Sequence, residues 1–113
     1  MPEVEEQFRR LAEAARTMDA YRVLVLRHAS RLYSPEEAER KFGRVVTAPE
    51  AIEEIMGDIR MGRLELRNTS KVCSQWGCTD LKSFLRDVDG YYRASGARAR
   101  EEYRLKRELL KLK

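Results

Sequence analysis

Apolar residues recur at helical spacing along most of this chain, and that period limits it to a largely helical fold. Val4, Phe8, Leu11, Ala12 and Ala15 mark one face near the start, with Glu and Arg on the other. Ala99, Tyr103, Leu105, Leu109, Leu110 and Leu112 do the same near the end. With 6 Gly and 3 Pro in 113 residues, tight turns are too few for an all-β protein. Charged residues make up 37% of the chain, which suits helices with solvated outer faces. The length is that of one domain with one modest core.

The pattern predicts a helix over 3–17. Tyr21 to Tyr33 admits both a helix and a short strand; helix is favoured because no partner strand lies nearby. Two capping boxes follow. Ser34-Pro35-Glu36-Glu37 and Thr47-Ala48-Pro49-Glu50 each offer a hydroxyl to orphan amides, Pro near the start and Glu three residues after the cap. The first of these helices should stop at Phe42-Gly43 and the second near Gly62. Leu64-Glu65-Leu66 alternates and reads as extended. A short helix is expected from Asn68 or Thr69 to Trp76, broken by Gly77. A longer one starts at Thr79, with Ser95-Gly96 as a hinge before a terminal helix over 97–113.

Residues 49–93 carry one functional pattern. A hydrophobic residue followed by a small one, Val72 and Cys73, precedes a large apolar residue, Trp76. Gly77 then supplies a turn, Cys78 follows, and Thr79 caps the next helix. This segment resembles the helix-turn-helix superfamily of DNA-binding domains. It departs from that pattern at Lys82 and Ser83, where an apolar residue is usual. The resemblance implies a recognition helix starting near Thr79 that enters a major groove. Lys71, Gln75, Thr79, Lys82, Ser83 and Arg86 would make the contacts. Arg93 and the basic residues of 98–107 would add attraction for phosphate.

Charge agrees with that placement. Residues 1–59 carry 9 basic and 12 acidic side chains, and residues 60–113 carry 14 and 7, so −3 and +7 make up the net +4. A polyanion should meet the C-terminal half.

Other chemistry finds little support. Cys73 and Cys78 form neither a C-x-x-C pair nor a disulfide framework, and they read as buried thiols. Cys78 near a helix start would have an activated thiol if the protein were a redox sensor. His28, the only histidine, reads as a half-buried residue without a catalytic role. With two Cys and one His the chain cannot alone supply four structural zinc ligands. Glu53-Glu54 and Glu101-Glu102 look like solvated helix faces. The longest apolar run, Val23 to Leu26, is far below the ~18–20 residues of a membrane span, and the acidic start lacks a secretory pattern.

The sequence thus leads to a small all-α bundle, a single domain over 1–113. It comprises N-terminal helices (1–46), a trihelical helix-turn-helix-like unit (47–93) and a charged terminal helix (97–113). The expected function is non-enzymatic: a cytoplasmic DNA-binding regulator or genome-associated factor, a dimer, with no cofactor or metal. The alternative is a protein–protein interaction subunit using its terminal helices.

Overall fold

A computed structural model describes residues 2–112. The elements are α1 (Pro2–Leu32), α2 (Pro35–Phe42), α3 (Ala48–Arg60), β1 (Glu65–Arg67), β2 (Lys71–Cys73), β3 (Cys78–Asp80) and α4 (Leu81–Lys111). The fold is therefore mostly helical, with a small antiparallel sheet in the order β1-β2-β3 that an all-α reading omits.

The long helices α1 and α4 run antiparallel as a stalk. The two short helices and the sheet form a head at one end, and the whole measures 58 × 25 × 18 Å. Neither Gly nor Pro interrupts the chain between Pro2 and Pro35. The expected 3–17 helix and the ambiguous 21–33 stretch accordingly fuse into α1. Glu3 and Glu5 in its first turn and Arg31 in its last suit the helix dipole.

Both expected N-caps form, through the hydroxyl half of each capping box. Ser34 Oγ accepts from the Glu37 amide and Thr47 Oγ1 from the Glu50 amide, each at 3.3 Å. Gly43 closes α2, its amide donating to the Glu39 carbonyl. The Gly43 carbonyl then accepts from Arg22 Nε at 2.9 Å and Tyr91 Oη at 3.0 Å, tying α1 and α4 to the end of α2. The core lies at the head, where Val25, Leu32, Phe42, Ile55, Val72, Phe84 and Val88 are fully buried.

Residues 69–76 do not form a helix. Asn68 turns the chain with a φ of 56°, and Lys71-Val72-Cys73 pairs with strands on both sides. Thr69, Ser70, Val72 and Ser74 are weak helix formers, and Ser74 Oγ accepts from the Trp76 amide, a local bond that competes with helix. The second helix of the expected trihelical unit is thus replaced by a hairpin. Its loop, 74–77, is closed by a Ser74 amide to Gly77 carbonyl bond of 2.8 Å. Among the described residues, positive φ falls at Gly62 and Asn68, not at Gly77. Cys73 and Cys78 face each other across β2 and β3 and are joined as a disulfide, so neither is a free thiol. Trp76 lies on the loop, 59% exposed, and fills no wedge between helices.

The long C-terminal helix begins one residue later than expected. Asp80, not Thr79, caps it, accepting from the Ser83 amide at 3.0 Å. That amide bond, then the hydroxyls of Ser83 and Ser70, hold the Asp80 carboxyl below its ordinary range. The expected hinge at Ser95-Gly96 is absent, and α4 continues through it.

Candidate nucleic-acid interface

The unbroken α4 turns scattered basic residues into a line. At ~100° per residue, Lys82, Arg86, Arg93, Arg100, Arg104, Arg107 and Lys111 fall within an arc of about 60°. All seven are exposed. They span about 44 Å at ~1.5 Å per residue. Beside them run Tyr92 and Tyr103, both exposed.

Carboxylates only partly offset this line. Arg93 pairs with Asp89 at 3.0 Å, Arg104 with Glu101 at 2.8 Å and Lys111 with Glu108 at 3.5 Å. Asp87 Oδ1 lies 3.9 Å from Arg86 Nε, while its other oxygen is engaged by His28. Among the described residues Lys82, Arg100 and Arg107 form no ion pair; Arg107 instead lies over the Tyr103 ring at 5.8 Å. Exposed pairs of this kind are worth little and yield readily to a phosphate.

The seven residues expected from the sequence separate into three groups. Lys82, Arg86 and Arg93 share the exposed stripe, with Arg86 76% and Arg93 79% exposed at the side chain. Lys71 and Gln75 are exposed but belong to β2 and the hairpin loop, apart from the α4 stripe. Thr79 and Ser83 are engaged internally. Ser83 Oγ donates to Asp80 at 2.8 Å. Thr79 is 2% exposed and faces His28. Arg100, Arg104, Arg107 and Lys111 complete the stripe. Their signal was helical phase, but the expected hinge at 95–96 divides it.

His28 has more neighbours than its sequence context suggested. Asp87 accepts from Nε2 at 3.0 Å, and in the neutral ring Nδ1 accepts the Thr79 hydroxyl at 2.5 Å. The ring stacks on Phe84 with centroids 5.3 Å apart. Threonine, histidine and aspartate in series resemble a nucleophile and its base, but the buried hydroxyl leaves a substrate no approach. The trio instead links α1, β3 and α4 and satisfies three polar side chains in the core.

Among the described residues no group of three or more His, Cys, Asp or Glu side chains is placed to hold a metal ion. None of the described helices is long and apolar enough to cross a membrane. Comparison with known proteins finds no matching family model, no matching curated protein and no matching solved structure.

Proposed function

We propose that the protein binds nucleic acid, most simply duplex DNA, by laying the cationic face of α4 against the phosphate backbone. One observation carries this: seven exposed Lys and Arg side chains in phase along a single unbroken helix. Arg suits phosphate because its planar fork donates two parallel hydrogen bonds. The helix-turn-helix resemblance points to the same element, α4, although a hairpin replaces the helix expected before it. With Thr79 and Ser83 engaged internally, affinity rests on charge more than on reading base edges. A role as a regulator or genome-associated factor, acting as a dimer in the cytoplasm and without catalysis, is part of this proposal.

Titrating a labelled duplex at low salt tests it. Wild type should bind, and Lys82→Glu/Arg86→Glu together with Arg100→Glu/Arg104→Glu should reduce affinity at least tenfold without loss of helical circular dichroism. Equal binding by wild type and variant would remove α4 as the interface.

The rival reading, an interaction subunit using its terminal helices, draws on a different observation. Phe8, Tyr103, Leu110 and Leu112 stand exposed on the end of the stalk away from the head. It is favoured if the protein ignores duplex at every salt concentration yet has more than one chain's mass in solution.

A further inference from the structure

A second feature of the head is not absorbed by α4. The loop between β2 and β3 overhangs a groove of about 620 Å³, within the ~300–1,000 Å³ usual for small-molecule sites. Leu32, Tyr33 and Leu64 supply buried apolar surface there, Arg63 and Arg67 cationic groups, and Trp76 an indole on the loop.

Trp76 is the only tryptophan of the chain. Its ring is largely in water, although an indole is among the most rewarding side chains to bury. Its backbone, by contrast, is held. Its amide donates to Ser74 Oγ at 3.1 Å, and that hydroxyl donates to the Arg31 carbonyl at 3.1 Å. The disulfide joins the two strands at the foot of the loop. An exposed aromatic on a tethered loop is a stacking platform already in position.

The lining of the groove is balanced in charge, two arginines against two glutamates, and Arg31 nearby tips the surroundings positive. Arg63 and Arg67 line it, and Arg31 stands beside the loop that its carbonyl anchors. Two carboxylates oppose them. Glu65 lies 3.5 Å from Arg67. Glu37 lies 3.7 Å from Arg63, 3.6 Å from Arg40 and 3.8 Å from Lys41, the last of which is also engaged by Glu54 and Asp58. Gln75, also on the wall, offers both a donor and an acceptor to the edge of a planar ligand.

We infer that this groove takes one unpaired nucleotide of a nucleic-acid strand, the base stacked on Trp76 and the phosphate held by Arg63 and Arg67. The inference extends the nucleic-acid reading of α4 to a second surface, and it stands or falls separately from the helix. The head would then engage a strand end or an unpaired stretch while the stalk lies along duplex phosphates.

The lone tryptophan makes the test direct. Its fluorescence should be quenched saturably by a deoxythymidylate octamer. Arg63→Gln/Arg67→Gln should shift the midpoint at least fivefold upward. With a labelled octamer read by anisotropy, Trp76→Ala should bind about tenfold more weakly, the size of one lost base stack, and Trp76→Phe should recover most of the loss. Duplex affinity should be unchanged in these variants. The quench should persist in the Lys82→Glu/Arg86→Glu/Arg100→Glu/Arg104→Glu protein, which separates failure of the groove from failure of α4. Absence of saturable quenching overturns the inference. So does quenching indifferent to Arg63 and Arg67, or octamer binding unchanged in Trp76→Ala.

Discussion

Tyr33 shows how a polar side chain can hold the head together. Its hydroxyl donates to Asp58 Oδ2 at 2.6 Å, and both residues are buried. Burial, then the bond to Asp58 and that residue's charge, push the Tyr33 hydroxyl far above the ordinary tyrosine range, so it remains a donor at any pH the fold experiences. Lys41 completes the cluster. It lies 3.5 Å from Asp58, is bonded to Glu54, and stands 5.1 Å over the Tyr33 ring. Residues from the α1–α2 junction, α2 and α3 therefore meet in one buried polar knot. Tyr33→Phe keeps the ring and removes the hydroxyl, leaving the Asp58 carboxylate short of a partner. Chemical denaturation should show a loss of about 1–3 kcal/mol, the cost of a buried acceptor left unsatisfied. A change within a few tenths of a kcal/mol would mean that Lys41 alone satisfies Asp58.

Between elements, the critical contact is the crossing of the two long helices. Gly90 sits mid-helix in α4, where glycine costs ~1 kcal/mol against alanine. A Cβ at Gly90 would overlap the Tyr21 ring, so the glycine lets that ring lie directly on the α4 backbone. Gly90→Ala should therefore destabilise by roughly 1–3 kcal/mol despite its better helix propensity. Tyr21→Ala in the same protein should recover part of the loss, as a thermal double-mutant cycle can measure; a stabilising Gly90→Ala would refute the close approach. This contact also explains why parts of the fold were hard to read from residues. Ser34 and Thr47 were legible as caps because their partners lie three residues away. The break expected at Ser95-Gly96 is overridden by long-range packing of α4 on α1. The hairpin over 71–80 depends on pairing Cys73 with Cys78 and Lys71 with Asp80, while a window of residues around Val72, Cys73 and Gly77 matches a helix–turn pattern equally well. Thr79 looked like the cap because its neighbour Asp80 is as good, and only strand pairing turns Thr79 inward to His28.

For the molecule as a whole, the division of charge along the chain becomes a division between head and stalk: α2 and α3 carry 7 acidic and 3 basic side chains, α4 carries 9 basic and 5 acidic. α1, with 6 Arg against 5 acidic side chains, packs antiparallel to α4, and the phase of α4 directs its cations away from that contact. The sequence disclosed which half was basic, but not that its cations align, because alignment requires one unbroken helix from Lys82 to Lys111. A single helix about 44 Å long cannot wind around the duplex with its groove. Its seven cations will meet only some three to five phosphates where it crosses the duplex. Each phosphate neutralised releases condensed counterions, giving a slope near −0.9 per contact in log affinity against log salt. Wild type should therefore show a slope of about −2.7 to −4.5 between 50 and 200 mM salt. Arg104→Gln/Arg107→Gln should make it shallower by up to about 2, with equal losses on unrelated duplex sequences because phosphate contacts carry no sequence information. A slope near zero would mean that duplex binding is not made by this stripe. A normal slope with strong preference for one sequence would place base reading elsewhere, and the loop bearing Gln75 and Trp76 would be the first surface to change.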